Sequence, residues 1–319
     1  MAKKNIAAII LAAGKGTRMK SELPKVLHEV CGRPMLGYVM DIVKGLRCQP
    51  AVVVLGHKAQ QVAQTLEPGT KTVLQKQLRG TADAVKQALP ALKNASGTVV
   101  ILYGDTPLLQ QKTIDELIRR HTASKALATI LTAKLEDAFG YGRIIRGETG
   151  MIEGIVEEKE ADAFQKSIKE INTGIICFDL AALRRAIPKI KANNRKKEFY
   201  LTDVIGLFAR QGGLVESVVV KDFNEALGVN SRVELALANN LMNKRICEKL
   251  MKDGVTIVDP ANVSIAWGAR IGPDTTINPF TVIEKDVKIA KSCSIGPFVR
   301  ICMGTRLPAF SSTKNHTVT

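Results

Sequence analysis

Short apolar runs alternate with amphipathic stretches over roughly the first 228 residues. Runs rich in Val and Ile predict buried strands, and stretches with apolar residues three or four apart predict helices. The predicted strands are Ile6–Leu11, Ala51–Leu55, Thr98–Leu102, Ala128–Ala133 and Val215–Val220. The predicted helices are Met35–Gly45, Ala59–Thr65, Thr81–Leu89, Thr113–His121 and Leu180–Ala186. This alternation is typical of an α/β fold with an open, mainly parallel sheet, in which ligands bind beyond the carboxyl ends of the strands.

A second region, from Ser231 to Lys252, has apolar residues three to five positions apart and is followed by Gly254. This spacing predicts one amphipathic helix that ends at the glycine. We expect it to link two domains.

A strict six-residue repeat follows the predicted linker helix. Isoleucine occupies every sixth position at Ile265, Ile271, Ile277, Ile283, Ile289, Ile295 and Ile301. A six-residue period matches hexapeptide-repeat β-helices, in which each repeat forms one face of a triangular coil. The predicted divisions are therefore a domain of residues 1–230, a helix of 231–254, a short β-helix of 255–302 and a polar tail of 303–319.

Composition narrows the class of protein. The net charge of +16, from 46 Lys and Arg against 30 Asp and Glu, attracts polyanions such as nucleotides and nucleic acid, but a solubilising surface charge is the preferred interpretation. Aromatic residues are only 4% of the chain, and it has neither a segregated basic arm nor zinc-finger spacing, so we expect no nucleic-acid partner. Six cysteines without a Cys-x-x-Cys pair favour reduced thiols in a cytoplasmic protein. No run is long enough to cross a bilayer, and the apolar Ile6–Ala13 is read as a first strand rather than a signal peptide.

A glycine loop after the first predicted strand carries the strongest chemical signal. Gly14 and Gly16 allow a tight turn whose amides could face a phosphate, and Arg18 and Lys25 add two cations. The spacing is neither the dinucleotide fingerprint nor the P-loop. The alternative is a plain glycine turn beside a surface Arg and Lys.

Asp105 follows the apolar run Val99–Leu102 and could project from a strand end. One carboxylate together with phosphate oxygens is enough for Mg²⁺. The alternative is an Asp that caps the turn at Thr106-Pro107.

Several short segments occur in one order along the chain. They are Leu11–Met19 with Leu23–His28, Gln75 with Gly80-Thr81, Tyr103–Leu108, Gly140–Ile144, Gly154–Glu157, Glu170–Ile175, Glu198–Asp203 and Gly228–Asn230. The set, from about Ile6 to about Ile301, resembles the bacterial bifunctional N-acetylglucosamine-1-phosphate uridyltransferase family. The resemblance implies a Rossmann-like nucleotidyltransferase domain, a linker helix and a left-handed parallel β-helix.

The resemblance also implies roles for individual residues. The nucleotide would be bound by Leu11, Ala12, Ala13, Gly14, Lys25, Gln75, Gly80, Thr81, Tyr103, Gly104 and Asp105, with Gln75, Gly80 and Thr81 reading the uracil. Arg18, Lys25 and Asp105 would be catalytic, and Asp105 and Asn230 would bind Mg²⁺. The sugar would be bound by Gly142, Glu157, Asn172 and Asn230. The implied substrates are UTP and N-acetylglucosamine-1-phosphate, and the products are UDP-N-acetylglucosamine, a cell-wall precursor, and pyrophosphate.

Four of these residues have plain structural alternatives. Glu157 opens a charged run that could be a solvated face, and Gln75 could lie on the surface. Asn172-Thr173-Gly174 could form a turn, and Asn230-Ser231 could cap the following helix.

Two features depart from the family pattern. Asp83 replaces a histidine that is common there, which bears on base or sugar selectivity. The repeat also stops before the coils that carry the family's acetyltransferase site, so we expect a truncated acetyltransferase domain, no acetyl transfer and a weakened homotrimer. Two other functions stay open: a sister sugar-1-phosphate nucleotidyltransferase and a non-catalytic nucleotide-sugar-binding remnant. The intact set Arg18, Lys25, Asp105 and Asn230 argues against the remnant.

Overall fold

The computed structural model describes residues 6–314 and 317–318, which form two units. The first unit contains the described residues up to Leu27 and Met35–Asn230. The second contains His28–Pro34 and the described residues from Ser231 onward. The boundary before Ser231 coincides with the predicted one, but residues 28–34 were wrongly placed in the first domain. They form a two-stranded hairpin, β2 (Glu29–Val30) with β3 (Arg33–Pro34), whose brevity left no periodic signal.

The first unit is built on a nine-stranded, mainly parallel sheet. Seven of its strands follow the order β11-β7-β10-β6-β1-β4-β5, and β8 pairs with both β10 and β9. Their bounds are β1 (Ile6–Ala12), β4 (Ala51–Leu55), β5 (Lys71–Leu74), β6 (Thr98–Tyr103), β7 (Ala128–Lys134), β8 (Arg143–Arg146), β9 (Ile152–Val156), β10 (Glu170–Asp179) and β11 (Val215–Val219). The central β10 is antiparallel to both β6 and β7, so it interrupts the parallel order.

Helices cover both faces of this sheet. They are α1 (Met35–Gly45), α2 (Ala59–Ala63), α3 (Thr81–Ala88), α4 (Gln111–Ser124), α5 (Ala163–Lys166), α6 (Leu180–Ala186) and α7 (Asp203–Arg210). Along β1, Ile9 packs into one buried cluster and Ile10 into the other. Burial on both faces explains why this strand reads as a continuous apolar run.

The five predicted strands and five predicted helices are present in the first unit, with ends that shift by a few residues. The edge strand β5 was missed because its sequence, Lys-Thr-Val-Leu, is largely exposed. Asn172, for which a turn was considered, lies within β10, where the register shifts between Asn172 and Ile176. The polar sequence at this irregularity resembles a turn, although the strand continues through it.

The second unit combines one long helix with a parallel β-helix. The helix α8 (Arg232–Lys252) begins at Ser231, whose hydroxyl accepts a hydrogen bond from the amide of Glu234 at 3.3 Å. The strands that follow are β12 (Thr256–Ile257), β13 (Val263–Ile265), β14 (Arg270–Ile271), β15 (Thr276–Ile277), β16 (Thr281–Ile283), β17 (Lys288–Ile289), β18 (Ser294–Ile295), β19 (Arg300–Ile301), β20 (Arg306–Leu307), β21 (Ser312–Thr313) and β22 (Thr317–Val318). Each pairs in parallel with the third strand along, which gives the three faces that the period of six predicts.

The predicted polar tail is wrong for the described residues after 303. Strands β20, β21 and β22 pair with β17, β18 and β19 and continue the coil. Leu307 and Thr313 keep the six-residue spacing after Ile301, and Thr313 is buried. The prediction followed isoleucine alone, whereas backbone pairing continues where Leu or Thr takes the inward position.

Two further sequence expectations concern the whole chain. No helix among the described residues is long and apolar enough to cross a membrane. All six cysteines are free, and burial raises the pKa of the Cys48 thiol to about 11, as expected of unreactive core thiols.

Candidate active site

The glycine loop lies at the carboxyl end of β1 and folds against Lys25. Gly16 has φ of 63°, and a Cβ built there would lie 2.6 Å from Lys25 Cβ. Residues Thr17–Met19 then form a 3₁₀ turn anchored by the buried Met19. Gly16 is therefore required both for the backbone conformation and for the close approach of Lys25.

Lys25, Asp105 and Asn230 converge on one point although they are far apart in sequence. The Lys25 ammonium donates hydrogen bonds to Asp105 Oδ2 and, at 3.0 Å, to Asn230 Oδ1. The Val229 amide donates to the Asp105 carbonyl at 2.9 Å, which ties the two segments together. Both side chains of the Lys25–Asp105 ion pair are mostly buried. Two oxygen atoms thus already face a single cation.

This donor set fits Mg²⁺. A carboxylate and an amide carbonyl are hard oxygen ligands, and Mg²⁺ in proteins takes few of them together with substrate phosphates and water. Among residues 6–314 and 317–318, no cluster of three or more His, Cys, Asp or Glu could hold a metal by itself. A magnesium ion here would rely on Asp105, Asn230 and the phosphates of a nucleotide.

The backbone around this cluster is held by close packing between strand ends. The Gly104 amide donates to the Leu11 carbonyl at 3.0 Å, and a Cβ on Gly104 would lie 3.1 Å from Leu36 Cδ1. Leu11, Ala12 and Ala13 are buried, whereas Gly14 is exposed and its Cβ position meets nothing within 4 Å. Open backbone at Gly14 suits contact with a ligand.

Arg18 is not brought into the Lys25 cluster. It lies exposed on the 3₁₀ turn and, within the described part of the chain, takes part in no ion pair. Its predicted role on the triphosphate stays a prediction.

The three residues expected to read the base lie together. Gln75 is buried after β5, and its amide nitrogen donates to the Gly80 carbonyl at 3.1 Å. Gly80 has φ of 110°, and a Cβ there would lie 2.5 Å from the Phe199 carbonyl oxygen. Thr81 Oγ1 accepts from the Leu201 amide at 3.0 Å. The interpretation of Gln75 as a surface residue is wrong, and the 199–201 segment is a support that sequence reasoning missed.

Three of the four residues expected to bind the sugar also lie together, whereas Asn230 belongs to the Lys25 cluster. The backbone amide of Asn172 donates a hydrogen bond to the Gly142 carbonyl at 2.8 Å. A Cβ built on Gly142 would lie 3.6 Å from Glu157 Oε2. Thr202 Oγ1 donates to Glu157 Oε1 at 2.9 Å. Burial raises the pKa of Glu157, which the hydrogen bond from Thr202 partly offsets. Glu157 is thus a partly buried, oriented carboxylate rather than part of a solvated face.

Tyr103 interacts electrostatically with a carboxylate of each group. The partly buried ring packs against Gly174, where a Cβ would lie 2.9 Å from Tyr103 Cε2. Burial raises the pKa of Tyr103, and the carboxylates of Glu157 and Asp105 raise it further. The tyrosine is therefore a neutral hydroxyl near both carboxylates.

An internal ion pair supports the sugar side and was missed from the sequence. Arg143 is buried, and its Nη1 lies 2.7 Å from Glu158 Oε2. These two residues directly follow Gly142 and Glu157 in the sequence. The only available signal was the family segment that contains Arg143.

Comparisons with known proteins identify the family of this chain. Residues 8–194 match the family described as the MobA-like NTP transferase domain, and residues 268–302 match bacterial transferase hexapeptide repeats. The bifunctional protein GlmU of Alkaliphilus oremlandii is 43% identical over 314 residues, which cover 98% of this chain and 69% of that protein. The chain belongs to the GlmU family.

Other relatives give the same result. GlmU of Geobacillus thermodenitrificans is 46% identical over 294 residues, which cover 92% of this chain and 64% of that protein. GlmU of Heliobacterium modesticaldum is 46% identical, with 92% and 64% covered. The chain thus spans slightly less than two thirds of the length of these two GlmU proteins.

One solved structure supports the fold. A crystal structure from Bacillus anthracis, titled as a glucose-1-phosphate thymidylyltransferase, superposes with a TM-score of 0.60. The superposition covers 74% of this chain and 94% of the Bacillus anthracis chain, and the two are 20% identical in sequence. The fold thus agrees with the NTP transferase domain matched at residues 8–194.

Proposed function

We propose that the chain transfers the uridylyl group of UTP to N-acetylglucosamine-1-phosphate, giving UDP-N-acetylglucosamine and pyrophosphate. The observation that carries the proposal is the convergence of Lys25, Asp105 and Asn230 at the strand ends beside an open glycine backbone. Membership of the GlmU family supports the choice of uridine nucleotide and amino-sugar phosphate.

The reaction needs charge neutralisation and alignment more than acid–base chemistry. A phosphate oxygen of the sugar phosphate attacks the α-phosphorus of UTP, and the bond between the α-phosphorus and the bridging oxygen breaks. Pyrophosphate leaves with that electron pair. The attacking phosphate is already ionised, so the enzyme needs no covalent intermediate. Positioning and electrostatic stabilisation are the effects that the site has to supply.

The residues divide this work. Lys25 lies where it can offset negative charge on the triphosphate, and the open amide of Gly14 can donate to a phosphate oxygen. Asp105 and Asn230 would hold Mg²⁺, which when bound neutralises phosphate charge and orients the phosphate oxygens. Both oxygens accept hydrogen bonds from the Lys25 ammonium, so the two residues that would hold the ion also orient Lys25.

The remaining pockets hold the two reactants. Gln75, Gly80 and Thr81 would bind the uracil on one side. Gly142, Glu157 and Asn172 would bind the sugar on the other, with the Glu157 carboxylate accepting from sugar hydroxyls. The absence of acetyl transfer, the weakened trimer and the cytoplasmic location stay predictions.

The variant Asp105→Ala tests the proposal. It removes one of the two proposed Mg²⁺ ligands and the partner of Lys25, so we expect UDP-N-acetylglucosamine formation to fall by about 100-fold or more. Asp115→Ala is the matched control, because Asp115 lies on α4 in a surface ion pair with Arg119. Product is followed by anion-exchange chromatography of the nucleotides. Unchanged turnover by the folded Asp105 variant would overturn the metal-site assignment.

A further inference from the structure

Asp83 is a buried carboxylate beside the base-reading group. Only 6% of Asp83 and 4% of Gln75 are exposed. Asp83 is the third residue of α3, whose first turn favours negative charge. Its oxygens face Gln75 Nε2 at 2.8 Å, Gln87 Nε2 at 3.4 Å and Arg79 Nη2 at 3.9 Å.

The contacts of Gln75 determine which way its amide points. Its Nε2 donates one hydrogen to Asp83 Oδ2 and the other to the Gly80 carbonyl. A carboxylate and a carbonyl can only accept hydrogen bonds, so a flipped amide would bring its oxygen against two acceptors. The amide is therefore held in one orientation, with both donors used inside the protein.

The oxygen of the same amide remains available. Gln75 Oε1 accepts no hydrogen bond from the described part of the chain, and it is not among the buried polar atoms that lack a partner. The oxygen is therefore not fully enclosed, and it offers an acceptor and no donor.

We propose that Asp83 is the positioning residue for base selectivity: it holds Gln75 so that the amide presents only its oxygen to the base. This inference rests on the proposed function, because it takes Gln75 as the group that reads the nucleotide. An acceptor at this position selects a pyrimidine with a hydrogen on N3. Uracil carries that N–H, whereas N3 of cytosine is an acceptor and is repelled.

The geometry explains why a change of Asp83 should weaken the discrimination between uracil and cytosine. Asparagine has the same shape, but it can present either an oxygen or an amino group to Gln75. Once Asp83 is replaced, only the Gly80 carbonyl opposes a flip of the Gln75 amide, and a flipped amide offers a donor to N3 of cytosine. A site built around one polar partner discriminates strongly against a ligand that leaves the partner unpaired. Removing the constraint should therefore lower discrimination more than it lowers turnover.

The test measures kcat/KM for UTP and for CTP with the wild type, Asp83→Asn and Gln87→Ala. We expect the UTP preference to fall about tenfold or more in Asp83→Asn, through a higher KM for UTP with kcat retained. Gln87→Ala is the control, because it removes the neighbouring contact of Asp83 without touching Gln75. The control should keep the wild-type preference. Asp83→Ala, which suits the helix position, serves if Asp83→Asn does not fold.

A double-mutant comparison separates positioning from general structural damage. In a Gln75→Ala background, Asp83→Asn should change the UTP preference by less than about twofold, because the group that it orients is gone. Binding of UTP and CTP, measured calorimetrically with Mg²⁺ and no sugar phosphate, should show the same ranking.

The outcomes distinguish the two levels of the account. A wild type that neither binds nor turns over UTP refutes the proposed function together with this inference. A wild type that prefers UTP, with Asp83→Asn and Asp83→Ala equally selective, refutes the role of Asp83 alone. The role of Asp83 is also refuted if Asp83→Asn lowers the UTP preference as much in the Gln75→Ala background as it does in the wild type.

Discussion

Gly16→Ala should remove most of the activity while leaving the fold largely intact. The added Cβ would lie 2.6 Å from Lys25 Cβ, whereas ordinary contacts begin at 3.4 Å, so the two carbons must separate by about 0.8 Å. Lys25 holds Asp105 and Asn230 together, and any shift of its stem moves the ammonium. A misplacement of about 1 Å in a reacting constellation can cost about 100-fold, and we expect a loss in kcat/KM of that size.

The stability effect of Gly16→Ala should be smaller and separable. At φ of 63°, alanine adopts the left-handed conformation, which costs about 1–2 kcal/mol. Gly212→Ala provides the matched control: its φ is 72°, and its Cβ would meet nothing within 4 Å. This control should lose a similar amount of stability but keep its activity.

The assay combines pyrophosphate release with urea unfolding of both variants. The reasoning predicts similar stability losses and very different rates. It would be refuted if Gly16→Ala stayed within about threefold of the wild type, or if Gly212→Ala lost as much activity.

Two other predictions concern the sugar side and the β-helix. Burial raises the pKa of Glu157 above its ordinary value of 4.5. When the pH exceeds this raised pKa, the folded protein contains an ionised, partly buried carboxylate, which lowers the free energy of unfolding. Glu157→Gln should therefore raise the thermal midpoint near pH 8 while raising the KM for the sugar phosphate. The stability gain should vanish as pH falls toward 4.5, and a gain independent of pH would contradict this. Ile295→Ala, at a fully buried β-helix position, should cost about 2–5 kcal/mol by urea unfolding. Val282→Ala, at a 42% exposed position, should cost less than about 0.5 kcal/mol, and equal losses would contradict the packing account.

Periodic burial made much of the fold predictable. β1 is apolar throughout because both of its faces are covered, and α1 and α6 begin and end where their patterns predict. The isoleucine period predicted the β-helix because the isoleucines that lie six residues apart pack into one buried cluster. Prediction failed at the largely exposed β5 and in the coils after Ile301, where Leu307 and Thr313 take the inward positions in place of isoleucine.

The sequence identified residues of the site but not the contacts between them. The glycine loop and Asp105 indicated phosphate and metal chemistry, but the convergence of Lys25 with Asn230 depends on residues 205 positions apart. The contact between Gln75 and Asp83 likewise depends on how α3 follows β5. Such pairings are tertiary, and no local pattern contains them.

The measurement that tests the central claim most directly is pyrophosphate release by the purified chain. It is run with Mg²⁺, N-acetylglucosamine-1-phosphate and each nucleoside triphosphate in turn. The account predicts release with UTP that far exceeds release with CTP, ATP, GTP or dTTP and that depends on the sugar phosphate. Release with another nucleotide alone, or with none, would contradict it.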